Sequence, residues 1–218
     1  MSEKTGDKLG FWSIVLLAIN AIIGSGIFLT PGSVVQQAGS KALVVYLIAA
    51  IFAAIDYILA MFQIHIPSPI GRPFIDLGYT FVVIGTLFLG YKYGLISGII
   101  GLVLFDLLNG YAAHTYLTVM EVVIIASVGW LMFKTMHFSP KISKIILIGI
   151  ATGLSKIIAG FLRYVIEGLI IGMQGKKLIA MAALSMPASI VTGIAMFVTV
   201  PLFFNFLNKV MKIVISTN

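Results

Sequence analysis

Six ionisable residues sit inside stretches of this chain that otherwise read as hydrocarbon: Asp56, Asp106, Glu121, Lys156, Arg163 and Glu167. At the centre of a lipid-embedded helix an Arg, Lys or Asp costs about 2.5–3.5 kcal/mol, so each must face a partner or a water-filled hollow. Arg163 and Glu167 stand four apart and Lys156 lies two turns before Arg163, which puts all three on one helical stripe with Tyr164 beside it. This stripe reads as one wall of a polar cavity. Asn109, Tyr111 and His114, from "NGYAAHT", and Glu121 one segment later read as the facing wall. Tyrosine stacks on flat rings, while Asn and Glu hydrogen-bond ring nitrogens and hydroxyls, so the chemistry on offer is recognition of a small polar aromatic molecule. Three rival readings stand beside this one. The stripe is a set of internal ion pairs, His114 is an interfacial histidine, and Asp106 in "LFDLLNG" braces a helix end rather than a ligand.

Catalysis finds no support. The chain has no phosphate-cradling Walker motif, no histidine pair at ligand spacing and no nucleophile–base constellation. Cysteine is absent, which excludes disulfides, thiol chemistry and cysteine metal sites. Neither an enzyme nor a metal or other cofactor is expected.

A second unusual stretch is "IHIPSPIGRPFIDLGY", Ile64–Tyr79. Pro67, Pro69 and Pro73 stiffen the backbone and restrict the residue before each, while Gly71 lets it bend. Such a segment cannot cross lipid, but it can arch over a cavity as a lid. Arg72 and Asp76 either reach a polar ligand from that arch or pair with each other. In "AAIFAA" the pairs Ala49/Ala53 and Ala50/Ala54 each share a helix face, where another helix can approach closely.

The elements that must hold these groups are transmembrane helices. Of 218 residues, 60% are hydrophobic and 10% charged, and the mean hydropathy is +1.13. That is too little polar surface for a soluble domain. Apolar runs of about twenty residues point to an all-α bundle rather than a barrel. The net charge of +7 is no nucleic-acid signature, because most lysines stand singly or in pairs at segment ends. Seven apolar segments are expected: Phe11–Thr30, Ala42–Gln63, Phe74–Gly90, Leu95–Leu108, Tyr116–Phe133, Ile145–Met173 and Leu178–Leu207. Lys41, Lys92, Lys134, Lys141, Lys144, Lys209 and Lys212 place one set of connections in the cytoplasm, so the last six segments make six crossings. The arch, "NGYAAHT" and "GKK" (Gly175–Lys177) then share the opposite face. Lys4 and Lys8 conflict with a full crossing by the first segment, which is read as retained rather than as a signal peptide.

Two resemblances are carried by these residues. "KLGFWSIVLLAINAIIGSGIFLTPG" (Lys8–Gly32) resembles the first helix of permeases of the amino acid–polyamine–organocation superfamily, where "GSGIF" marks an unwound point. From about Ala42, "AAIFAAIDYILAMFQIHIPSPIGRPFIDLGYTFVVIGTLFLGYKYGLISGIIGLVLFDLLNGYA" and "GFLRYVIEGLIIG…LSMPASIVTGIAMFVTVPL" resemble the substrate-binding S component of energy-coupling factor (ECF) vitamin transporters. The likeness is to the hydroxymethylpyrimidine and riboflavin group. It implies a six-helix membrane domain over residues 41–218, preceded by a permease-like hydrophobic segment over 1–40. It further implies a vitamin ligand, docking through Ala49, Ala50, Ala53 and Ala54 onto a transmembrane T component, two cytoplasmic ATPases as energy source, and a bacterial inner membrane. The ligand contacts would be Arg72, Asp76, Asn109, Tyr111, His114, Glu121, Lys156, Arg163, Tyr164 and Glu167, under a lid of Pro67, Pro69, Gly71 and Pro73. A fragment of an amino-acid permease and a non-transporting membrane scaffold are the alternative expectations.

Overall fold

The computed structural model describes residues 40–72 and 74–216. The first apolar segment, Phe11–Thr30, and Pro73 of the expected lid lie outside the described residues. Among these residues, seven helices and one small hairpin follow in order. They are α1 (Ser40–Ala60), β1 (Ile64–His65), β2 (Phe74–Ile75), α2 (Gly78–Leu89), α3 (Tyr91–Leu108), a single 3-10 turn at Ala112–His114, α4 (Thr115–Thr135), α5 (Ile142–Ile170), α6 (Gly175–Leu184) and α7 (Pro187–Ser216). Four of these, among the described residues, are long and apolar enough to cross a membrane: α3, the stretch Ala112–Thr135, α5 and Pro187–Val210. Tyr46–Ala60 and Gly78–Leu89 are shorter apolar helices. The chain is an all-α, multi-pass membrane bundle. The side chains it turns outward are Ile, Leu, Val and Phe, as a lipid-facing surface requires.

Three segments depart from the sequence reading. The run Phe74–Gly90 opens as strand β2, and its helix starts only at Gly78. The short run Leu95–Leu108 belongs to an 18-residue helix, because "YKYG" after Gly90 continues the helix despite its lysine. The run Leu178–Leu207 is two helices, not one. The break falls at Ser185–Met186, immediately before Pro187, whose ring disfavours helical backbone in the residue before it and which opens α7 without needing an N–H partner. Hydropathy alone is blind to this break, since both sides are equally apolar.

From Ala49 onward the chain forms one compact unit. Within it α5 runs along α7 and α4, and α2 packs on α3 and α4. The core joins Val82 and Val83 of α2, Phe105 of α3, Val122 and Ile125 of α4, Ile148 of α5 and Met196 of α7. Backbones meet closely where residues are small. At the α5–α7 crossing, a Cβ on Gly153 would strike the Gly193 carbonyl and the Phe197 ring, and one on Gly193 would lie 2.6 Å from the Gly153 carbonyl. A Cβ on Gly101 of α3 would lie 2.5 Å from the Ala53 carbonyl of α1. In lipid the association of helices relies on such close packing, since hydrocarbon tails are as apolar as leucine.

The connections expected on one face do gather at one end. His65 Nε2 lies 2.9 Å from the Tyr111 hydroxyl, which also donates to Gln63 Oε1 at 3.1 Å. His114 Nδ1 lies 3.0 Å from Glu167 Oε1 near the end of α5. This end carries the cavity described below. The α5–α7 crossing that supports it has no slack for a methyl group. Gly153→Ala is therefore expected to lower stability by about 1–3 kcal/mol, read as a lower thermal midpoint in detergent. An unchanged midpoint would show that the crossing is looser than described.

Candidate functional site: a lidded polar cavity

A cavity of about 450 Å3 opens within the bundle beneath the Ile64–Ile75 hairpin. Gly71 and Arg72 of the arch line it. So do Asp76 and Tyr79 at the start of α2, Asp106 of α3, Tyr111 and His114 of the following loop, Glu121 of α4, and Lys156, Arg163, Tyr164 and Glu167 of α5. Nine of the ten expected ligand residues thus face one hollow. Asn109 does not. Its side-chain amide donates to the Phe105 carbonyl at 2.9 Å, closing the C-terminal turn of α3, so the helix-end role weighed for Asp106 falls to Asn109 instead.

The electrostatic centre is Glu121, whose side chain is fully buried. Its Oε1 accepts from Lys156 Nζ at 2.7 Å. Its Oε2 accepts from the Tyr79 hydroxyl at 2.5 Å and from Arg163 Nη1 at 3.0 Å. Lys156 Nζ also lies 4.0 Å from the centroid of the Tyr79 ring, over its electron-rich face. The rival reading of internal ion pairs therefore holds for this part of the stripe, and it holds on the wall of a void rather than in a packed interior. Arg163 continues the network toward Glu167, with Nε 3.6 Å from Oε1.

Among the described residues, two buried carboxylate oxygens of lining residues have no hydrogen-bond partner: Asp106 Oδ2 and Glu167 Oε2. Asp56 is different. Both its oxygens are buried and without a hydrogen-bond partner among the described residues, but it does not line the cavity, and its Cβ lies 2.6 Å from where a Gly101 Cβ would lie.

Phe74 and Phe105, missed by the sequence reading, supply apolar faces of the cavity beside the expected Tyr111. The three form an aromatic cluster with centroids 5.3–6.0 Å apart, Phe105 and Tyr111 being nearly parallel at 22°. Burial raises the Tyr111 phenol above its ordinary range, keeping it a neutral hydrogen-bonding group. Ser189 and Thr192 of α7 line the far side, and the Asp76 backbone N–H donates to Thr192 Oγ1 at 3.2 Å. No sequence signal marks these two hydroxyls among the many of α7.

The arch is a closed loop. Ile64 pairs with Ile75 and His65 with Phe74 in a two-residue antiparallel ladder, which fixes the base of the arch. Pro67 and Pro69 are exposed and neither lines the cavity. Between them and the bend, Ile70 is 2% exposed and packs with Tyr164, Ala182 and Met186. Ser68 Oγ donates to the Ile70 carbonyl at 2.6 Å and braces the tip. Gly71 adopts φ +68°, and a side chain there would meet Glu167 Oε2 at 2.9 Å. A bend that needs left-handed backbone and a contact that excludes a Cβ both demand glycine at this position.

The two alanine pairs of α1 separate. Ala53 is buried, its carbonyl near Gly101, whereas Ala50 and Ala54 are exposed on the opposite side. Only the second pair offers a small-residue face to another protein.

Removing the charge of Glu121 leaves buried Lys156 without a counter-ion and Arg163 with only its 3.6 Å contact to Glu167. Glu121→Gln is expected to cost about 3–5 kcal/mol, measured by thermal unfolding in detergent. Adding Lys156→Met to it should restore part of that loss. If the single variant melts like the parent, Glu121 is not the hub described.

The family model for the ECF-type riboflavin transporter, S component, matches residues 40–212. Over 48 residues the chain is 58% identical to uncharacterized transporters of Mycobacterium tuberculosis (strains H37Rv and CDC 1551) and Mycobacterium bovis. That stretch is 22% of this chain and 10% of each relative, so the chain spans about a tenth of the curated relatives it matches. No solved structure matches it. With the family match over most of its length, the chain, a multi-pass membrane protein, belongs to the S-component family of ECF transporters.

Proposed function

We propose that this S component captures a small, flat, heteroaromatic vitamin or vitamin precursor in the lidded cavity. Hydroxymethylpyrimidine and pyridoxine-like compounds lead, and riboflavin and thiamine belong to the same chemical class. The observation that carries this reading is the combination of an aromatic rim, a charged wall and an anchored arch around about 450 Å3. That volume lies in the range of pre-formed small-molecule pockets. Phe74, Phe105 and Tyr111 supply ring faces for stacking, and Asp76, Asp106, His114 and Glu167 supply the hydrogen-bonding edge. Arg72 reaches the ligand from the arch. Glu121, Lys156 and Arg163 act chiefly by holding the wall in place, with Tyr164 between the wall and Ile70.

Energy comes from outside the chain. Ala50 and Ala54 form the face that docks on a transmembrane T component, which couples the subunit to two cytoplasmic ATPases, in a bacterial inner membrane. Ala49 and Ala53 brace the same helix from behind. Residues 1–40 form a separate permease-like segment joined to the capture domain of 41–218. The likeness to much longer transporters extends over only 48 residues and carries no argument about which molecule is bound.

Purified protein should carry or bind one of these vitamins, and reconstituted uptake of it should require both the T component and the ATPases. A chain starting at Lys41 is expected to keep binding. Ala54→Trp is expected to keep binding and lose uptake. Uptake of amino acids by the chain alone would replace this reading with a permease, and an absence of any ligand would replace it with a scaffold.

Ile70 gives the lid its own test. Truncating a buried isoleucine costs about 2–5 kcal/mol, here charged against closure of the arch. Ile70→Ala should weaken vitamin binding by about 10–100-fold, mainly through faster dissociation, with unchanged helix content by circular dichroism. Unchanged dissociation would show that the arch does not gate the cavity.

A further inference from the structure

The arch has a second attachment, at its base. Gln63 precedes β1, His65 lies on β1, and Phe74 is the ladder partner of His65 on β2. All three meet one side chain, Tyr111, from the loop after α3. The Tyr111 hydroxyl donates to Gln63 Oε1 at 3.1 Å and lies 2.9 Å from His65 Nε2. Its ring packs against the Phe74 ring, with centroids 5.3 Å apart. A phenol has a single proton to give. Gln63 takes it, so His65 Nε2 carries the hydrogen of its own bond and donates to the phenol oxygen.

Tyr111 is itself held from α3. Gly110 turns the chain at φ +84° with open space where a Cβ would stand, so left-handed backbone is what it supplies at this helix end. The Tyr111 N–H then returns to the Asp106 carbonyl at 2.8 Å, and the His114 N–H donates to the Tyr111 carbonyl at 2.8 Å. The ring stacks on Phe105, with centroids 6.0 Å apart at 22°. Backbone and ring are thus fixed by α3, and the hydroxyl is left for the arch. The same residue lines the cavity, whereas Ile70, the anchor at the tip, does not.

Resting on the vitamin-capture reading, we propose that Tyr111 is a positioning residue that joins arch closure to ligand binding: its hydroxyl clasps the base of the arch while its ring bounds the captured molecule. A ligand packed on the ring steadies the hydroxyl, and a closed arch steadies the ring, so each event favours the other by the same factor.

The test uses the full chain in detergent. Without any ligand, hydrogen exchange is followed by mass spectrometry on peptides covering residues 62–76. Tyr111→Phe keeps the ring and removes the hydroxyl. It should speed exchange of that stretch about 3–10-fold, the scale of a neutral hydrogen bond, and leave peptides of α4 and α5 unchanged. Gly110→Ala, which disturbs only the placement of Tyr111, should move exchange in the same direction. His65→Phe and Gln63→Met should each speed exchange in the parent. In the Tyr111→Phe background each should add less than about twofold, because the partner is already gone. Unchanged exchange in Tyr111→Phe, or equal effects in both backgrounds, overturns the clasp whatever the fate of vitamin capture. The coupling is read with hydroxymethylpyrimidine, pyridoxine and riboflavin as probes. A probe that binds should slow arch exchange in the parent, and that protection should shrink in Tyr111→Phe. Its dissociation should be about 3–10-fold faster from Tyr111→Phe, and a further 3–10-fold or so faster from Tyr111→Leu, which also removes the ring. A probe that protects the arch equally in parent and Tyr111→Phe overturns the coupling while capture stands. If none of the three binds, the capture reading falls and takes the coupling with it, and the ligand-free exchange still decides the clasp.

Discussion

A single buried carboxylate organises the bundle. Glu121 on α4 receives Lys156 and Arg163 from α5 and the Tyr79 hydroxyl from α2, so three helices are tied at one point inside a membrane protein. The low dielectric around it makes each of these bonds strong and makes the loss of any partner expensive. Because both of its oxygens are engaged, Glu121 fixes where the rest of the α5 stripe points. Arg163 is held between Glu121 and Glu167, and that leaves one oxygen of Glu167 directed at the arch. The polar wall is therefore rigid before any ligand arrives, which is what a pre-organised binding site requires.

The arch meets that wall through two adjacent residues with opposite roles. Ile70 enters an apolar niche against Tyr164 and α6, and Gly71 passes over Glu167 with no side chain at all. Hydrophobic anchoring and clearance over a charged group are thus separated by one peptide bond. The short α6 matters for the same reason: the break before Pro187 turns α6 into a shelf under Ile70 rather than a continuation of α7.

Much of the site was legible in the primary structure because lipid is an unforgiving solvent. Ionisable residues in apolar runs can be noticed without coordinates, and nine of the ten chosen residues line one cavity. Asn109 escaped because an amide beside a helix end serves a cap as readily as a ligand, and spacing cannot separate the two. Phe74, Phe105, Ser189 and Thr192 escaped because aromatic and hydroxyl residues are ordinary in membrane helices; only their convergence distinguishes them. The proline-rich stretch was legible as an arch, yet the residue that fastens it is an isoleucine, which looks like any other in this chain.

The sequence by itself determined the solvent, the helical class and the identity of the groups that must avoid hydrocarbon, since composition and run length follow directly from the cost of exposing polar groups to lipid. Which charges neutralise one another and which remain open was decided only by the tertiary structure. Glu121 and Glu167 are chemically alike and both lie in apolar runs, but one is saturated by three partners from two other helices while the other keeps an oxygen under Gly71. That difference depends on helix rotation and on the path of the arch, and it arises from distances between residues 35 to 96 positions apart in the chain, which local sequence does not encode.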